Sequence, residues 1–319
     1  MSRQYLPLAA TIAVFVLLFA VGGSLYNNFL STRVLGNILA DNSFIIIAAI
    51  GATFVILSGG IDLSIGSMVG FVGVSMAVLD SMGWHPLASA LLMIVFGLLF
   101  GALQGLIIDF CDIQPFIVTL AGLFLLRGAC FMVTLDSVPL RHEFVQEFAS
   151  WRIPLPGKGV LRSSALVMLA SLVVAMVVAH YTRFGSNVYA IGGDRESARL
   201  MGINIRRTTV MIYAVGGLYS ALAGVVYALY TSSGYPLAGS TMELSAIAAV
   251  VLGGTLLTGG VGFVLGTLFG GMILGLISTL IIFNGSLNSA WILISSGVLL
   301  FAFIAMHRIL IGTFHLRGA

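Results

Sequence analysis

The chain reads as an all-α polytopic membrane protein of about ten transmembrane helices in two related halves. Three observations lead there. Hydrophobic residues make up 59% of the sequence and charged ones 8%, with a mean hydropathy of +1.12. A globular chain carries about 25% charge and could not bury so much apolar surface. Ten apolar stretches are long enough, wholly or in part, to cross a bilayer core. A segment near residue 50 also recurs 200 positions later.

In order, the stretches are 6–26, 44–58, 65–80, 87–108, 115–135, 163–181, 208–231, 243–257, 261–283 and 289–306. The first follows Arg3 and reads as a retained helix, because small residues for signal cleavage are barely present at Ala20-Val21-Gly22. The second and third are short and are parted by Gly59-Gly60 and a single charge, as the eighth and ninth are parted at Gly259-Gly260. Such turns can sit within the membrane without fully leaving it.

Lysine and arginine orient the chain. Ten crossings put both termini on one side, with Arg3, Arg183, Arg195, Arg199, Arg206, Arg207, Arg308 and Arg317. The other side receives Arg33, Arg141, Arg152, Lys158 and Arg162, mostly in a loop of 136–162, and Arg127 is left inside a span. The bias places both termini and the segment 182–207 in the cytoplasm.

The repeat is specific in its glycines. Ile47-Ala48-Ala49 returns as Ile247-Ala248-Ala249, Leu57-Ser58-Gly59-Gly60 as Leu257-Thr258-Gly259-Gly260, and Gly66 and Gly70 as Gly266 and Gly270. Eight of the 24 positions from 47 to 70 are identical to their counterparts. Both copies run the same way across the membrane in this topology, so the repeat is parallel. Transporters are built from such halves, with interrupted helices beside the pathway. That makes Gly59, Gly60, Gly259 and Gly260 candidates for the pathway region; close helix packing is the plainer role for the same glycines.

The segment 182–207 concentrates the charge. The stretch from Thr182 to Thr209 holds five of the 14 Lys+Arg and two of the 11 Asp+Glu. Within it, Gly192-Gly193-Asp194 is expected to turn the chain and cap a short helix, with Asp194 at the N-cap. Arg195 follows, Glu196 suits the positive end of the helix dipole, and Gly202 ends the helix in the left-handed conformation. Small Ser197 and Ala198 would let a partner groove approach, and Leu200 and Met201 would give it an apolar anchor. A loop that merely fixes topology has no need of a capped helix with Leu-Met exposed.

Charges in or near spans are costly and invite functional readings. Arg127 must pair, either with a carboxylate or helix C-terminus or as a lining group. Asp62 is expected to cap the third span, with a salt bridge to Arg127 or a pathway contact as alternatives. Glu243 stands three residues after Ser240, the spacing of a capping box, with a pathway contact as the alternative. Ser64, Ser67, Thr119, Thr255 and Asn284 are candidate lining groups, each open to the plainer reading of an intrahelical bond.

Other chemistry finds no support. Cys111 and Cys130 fall in or beside apolar runs, and no Cys/His cluster has metal-ligand spacing. No basic patch with interleaved aromatics suggests nucleic acid. No G-x-x-x-x-G-K-[ST] phosphate loop is present, so this chain is not expected to hydrolyse ATP or to act as an enzyme.

Four stretches together resemble a known family: ILSGGIDLSIGS (56–67), TLAGLFLLRG (119–128), RFGSNVYAIGGDRESARLMGI (183–203) and VVLGGTLLTGGVG (250–262). The pattern is similar to the permease subunits of bacterial ABC importers for monosaccharides, the ribose, xylose and galactose group. The likeness covers the whole chain and is strongest to a galactofuranose importer permease. It implies a type II-like permease in the bacterial inner membrane, working by alternating access. Its implied partners are a second permease, the same chain or a paralogue, separate ATPase subunits that use ATP and Mg, and a periplasmic sugar-binding protein that the 136–162 loop could receive. The stretch Glu196-Ser197-Ala198-Arg199-Leu200-Met201-Gly202 resembles the Glu-Ala-Ala-x-x-x-Gly motif by which such permeases dock their ATPases, with Ser197 in place of an alanine. A branched-chain amino-acid permease shares the architecture. An ion-coupled secondary transporter would instead need paired carboxylates deep in the spans, where Asp62 and Glu243 are too few.

Overall fold

The computed structural model describes residues 6–285, 288 and 290–315; Arg3, Arg317 and the Arg308 side chain lie outside what it describes. The elements, in chain order, are α1 (Leu6–Leu25), α2 (Thr32–Asp41), α3 (Ser43–Leu57), α4 (Ile65–Ser81), α5 (Pro86–Phe110), α6 (Pro115–Val133), β1 (Val138–Pro139), α7 (Glu143–Ser150), β2 (Arg152–Pro154), β3 (Val160–Arg162), α8 (Ser163–Tyr181), α9 (Arg183–Gly193), α10 (Arg195–Leu200), α11 (Ile205–Thr231), β4 (Ser233–Gly234), α12 (Met242–Leu252), α13 (Val264–Asn284) and α14 (Ala290–His315).

A helix lies in each of the ten expected stretches, as α1, α3–α6, α8 and α11–α14, although the eighth stops at Leu252 and the ninth starts at Val264. Among the described residues, six helices are by themselves long and apolar enough to cross a membrane: α1, α5, α6, α8, α11 and α13. α4, α12 and the part of α14 from Ala290 to Ala302 are shorter apolar helices. α3 is long and apolar enough to span only together with α2, which precedes it at a bend of 59°, the geometry of a broken span or a re-entrant segment. The sequence reading passes over α2 because polar Arg33, Asn37 and Asp41 recur every fourth residue and lower its hydropathy. Their spacing marks a polar stripe along the helix, flanked by buried Val34 and Ile38 on one side and buried Gly36 and Ala40 on the other, with Leu35 and Leu39 packed on the core opposite.

α3 runs through the centre, buried from Ile46 to Leu57, against α8, α11, α12 and α13. The closest pairing is α5 with α11. Gly97, Gly101 and Gly105 recur every four residues along α5, and a methyl group on any of them would strike the α11 backbone at Gly217, Tyr213 or Val210. Lipid gives helices no hydrophobic reason to associate, so backbone-to-backbone approach through small residues does that work. The opposite flank of α5 turns Leu87, Leu91, Leu99 and Leu103 outward, each more than half exposed, as a lipid-facing surface requires.

Two expectations are corrected. The segment 182–207 is two helices, not a loop with a single helix over 194–202. Gly192 and Gly193 close α9 instead of forming a free turn, and Asp194 is both the C-cap of α9 and the N-cap of α10. The loop of 136–162 is also structured: β1 pairs antiparallel with β4, β2 pairs with β3, and α7 lies between them.

Candidate coupling surface and buried polar region

α10 is built by its caps. The Asp194 carboxylate accepts the backbone N–H of Ser197 at 2.7 Å, and hydrogen bonds from Ser197 hold that carboxyl below the ordinary carboxylate range. At the other end Gly202, at φ 84°, lets the Ile203 N–H reach the Ala198 carbonyl and its own N–H the Arg199 carbonyl, a Schellman closure. Ala198 is fully buried, whereas Leu200 is 81% and Met201 70% exposed. The expected role of Ala198 therefore changes: its small side chain seats α10 on the protein's own body. Glu196, Ser197, Arg199, Leu200, Met201 and Gly202 form the outward face.

Asp109, near the end of α5, ties this surface down. It receives Arg195 at 3.3 Å and Arg206 at 2.8 Å, so one carboxylate bridges both ends of the segment. The Arg206 guanidinium also lies over the Phe110 ring. Sequence reading misses Asp109, because nothing local links it to residues 86 and 97 positions further on.

Behind α10 the two Gly-Gly turns meet. The Gly260 N–H donates to the Leu57 carbonyl at 2.8 Å, across the repeat. A methyl group on Gly259 would come within 2.7 Å of the Gly59 nitrogen, and one on Gly260 within 2.8 Å of the Gly193 Cα. A methyl on Gly192 would overlap the Leu57 carbonyl oxygen. Tyr189 adds a pin by donating to the Gly262 carbonyl at 2.8 Å; burial pushes its phenol up to about 12, so it stays a donor throughout the physiological range. The last turn of α9 is thus wedged between the breaks that follow α3 and α12.

The other singled-out residues fall into separate groups. Asp62 does not cap α4 with its side chain, and Ser64 is the N-cap residue. Instead the Asp62 carboxylate accepts the Ser64 N–H at 2.8 Å and hydroxyl at 2.7 Å, folding the break back on itself. Thr119 donates to the Ile61 carbonyl at 3.2 Å as well as to Pro115 in its own helix, and Ser67 donates to the Ser64 carbonyl. Gln104 and Tyr213, which the sequence reading passed over, complete this buried group. Ser64 lies 3.4 Å from Gln104, and the Tyr213 hydroxyl sits against Gly60.

Arg127 forms no ion pair among the described residues. Its guanidinium donates to the carbonyls of Pro236 and Ala238 at 2.5 and 2.9 Å. Glu243 belongs to the same flank of α4, since methyl groups on Gly66 and Gly70 would meet Glu243 and Arg127 respectively. The expected capping box does not form: the Ser240 hydroxyl donates to the Leu237 carbonyl, and Thr241, at φ 66°, takes the N-cap without a side-chain bond. Thr255 is buried beside Gly262. Asn284, at the end of α13, reaches the Tyr26 hydroxyl at 3.4 Å, away from the rest.

These elements define a polytopic helical membrane protein whose capped surface helix, α10, lies beside the junction of its two Gly-Gly turns. Residues 34–304 match the family profile described as branched-chain amino acid transport system / permease component, and the chain belongs to that permease family. It is 51% identical to the inner membrane ABC transporter permease protein YjfF of Escherichia coli K12, over 97% of this chain and 93% of that one. It is 36% identical to the ribose import permease RbsC of the same organism, over 87% of this chain and 86% of that one. Identity to the fructose import permease FruG of Bifidobacterium longum is 33%, over 97% and 92%. No solved structure matches the chain.

Proposed function

We propose that the chain is the membrane-spanning permease subunit of an ATP-binding-cassette importer that passes a monosaccharide from periplasm to cytoplasm by alternating access. The observation that carries this is α10: a short helix seated by Ala198, clamped through Asp109, and presenting Leu200 and Met201 to the outside. Exposed apolar side chains on a rigid polar surface suit a partner groove. That partner is the separate ATPase, which binds ATP and Mg. Closure of the ATPases shifts α10, and the wedge of α9 passes the movement to the turns that follow α3 and α12.

The chain sits in a bacterial inner membrane with both termini and α10 in the cytoplasm, beside a second permease. A periplasmic sugar-binding protein supplies the substrate at the 136–162 face. Ribose, fructose and xylose are the cargoes in the names of relatives; galactofuranose rests on sequence likeness. A neutral sugar needs sparse hydrogen-bonding groups for passage, which suits the few polar side chains here.

A branched-chain amino acid is the second reading, favoured by the family description. Reconstitution of the permease with its ATPase and binding protein in liposomes separates the two. Stimulation of ATP hydrolysis by a monosaccharide supports the proposal, and stimulation by leucine alone replaces it with the second reading.

A further inference from the structure

We propose that the end of the chain opposite α10 carries a binding site for a monosaccharide, between the polar stripe of α2 and the turn at 156–159; the sugar class rests on the importer reading above. A cavity of about 670 Å³ opens there, within the range of about 300–1,000 Å³ typical of small-molecule sites. It is lined by the stripe Arg33, Asn37 and Asp41, by Lys158, and by Asn28 and Phe283.

A polar stripe on part of a broken span cannot face lipid; it has to line a wet cavity or pair with protein. The walls are fixed before any ligand arrives. The Thr32 hydroxyl donates to the Pro156 carbonyl at 2.5 Å. A methyl group on Gly36 would strike the Val160 carbonyl oxygen, and one on Gly159 would come within 2.7 Å of Thr32. These contacts hold the turn bearing Lys158 flat on α2. Across the stripe, the Tyr230 hydroxyl donates to Asp41 at 2.8 Å and orients that carboxylate. Preorganisation of this kind lowers the ordering cost of binding.

The donor set fits a neutral polyol better than an anion. Carboxamides such as Asn28 and Asn37 both donate and accept, as sugar hydroxyls do. Asp41 accepts and would repel a phosphate or carboxylate, cancelling one of the two positive charges of Arg33 and Lys158. The Phe283 ring offers an apolar surface for the C–H face of a sugar.

The full chain in nanodiscs is tested by saturation-transfer-difference NMR with D-ribose, D-xylose, D-fructose and methyl β-D-galactofuranoside, and with inorganic phosphate as the anionic probe. At least one sugar is expected to bind. Asn37→Leu is expected to weaken it by about tenfold, the effect of losing one strong hydrogen bond. Lys158→Ala, on an exposed turn, is expected to weaken it without changing the thermal melt. The site is overturned if no sugar binds the folded chain, if both variants bind like the parent, or if phosphate binds and displaces the sugar. Sugar-stimulated ATP hydrolysis by the whole assembly, with no binding to the isolated chain, removes this site and leaves the importer reading standing. Loss of both removes the importer reading too.

Discussion

Asp109 is the residue on which the geometry of the surface segment converges. Its side chain is 10% exposed, while its arginine partners are 56% and 63% exposed. Exposed pairs of this kind are worth about 0.2–1 kcal/mol each, so Asp109→Asn should leave the fold intact while loosening both ends of the segment. The expected result is normal expression and thermal stability, with ATPase that no longer co-purifies or does so at reduced yield. Asp194 acts on the same helix through its cap. Because its carboxyl titrates below the ordinary value of 3.8, the charged cap is in place above that value and is lost as pH falls through the depressed one. ATPase capture should therefore show no step from this group between about pH 5 and 8, and Asp194→Ala should weaken capture across the whole range, whereas Asp194→Asn, which keeps an accepting oxygen, should retain most of it. At this scale the sequence was legible where the chemistry is local: the cap, Gly202 and the exposed Leu-Met pair follow from spacing along a few residues. Asp109, Gln104 and Tyr213 were not, since each acquires its meaning from a partner brought in by tertiary packing.

At the scale of elements, the proposed mechanism gives docking to α10 and transmission to α9. Leu200 and Met201 project with little local support, so replacing both by Ala should cost binding and not folding. Truncating apolar anchors at an interface centre costs about 1–2 kcal/mol or more each, so affinity for the ATPase should fall at least about tenfold, measurable by titration of the detergent-solubilised pair. Gly192→Ala should do the opposite. The added methyl has no room against the Leu57 carbonyl, and overpacking of this sort costs about 1–3 kcal/mol. Docking should persist while sugar-stimulated hydrolysis and uptake fall, and a variant that binds, hydrolyses and transports normally would show that the wedge carries no movement. The Gly-Gly repeats were readable as special, but not as neighbours. Their junction depends on a contact across 200 positions and on α9, whose helical character is masked in sequence by Gly185, Gly192 and Gly193. α2 was hidden for a related reason, since a hydropathy reading rewards uniform apolarity and this helix is half polar.

For the whole molecule, the decisive question is which features share an end. α10 lies with the Gly-Gly junction, and Gly254 in the same connection packs against Pro7 at the start of α1. Asp109 brings the end of α5 there too, and with it the exposed thiol of Cys111. The turn bearing Lys158 lies at the other end, against α2. Cys130 is buried, so Cys111 is a native reporter of the α10 end. The proposed topology makes it cytoplasmic. In intact cells Cys111 should resist an impermeant maleimide and react once the membrane is opened. In a Cys111→Ser background, Lys158→Cys should react in intact cells and Glu196→Cys only after opening. Reversal of that pattern would put α10 outside, where no ATP-hydrolysing partner exists, and would dismantle the importer reading at its base. Equal labelling of both positions from one side would instead mean that α8, the helix long and apolar enough to span between residues 158 and 196, does not cross the bilayer.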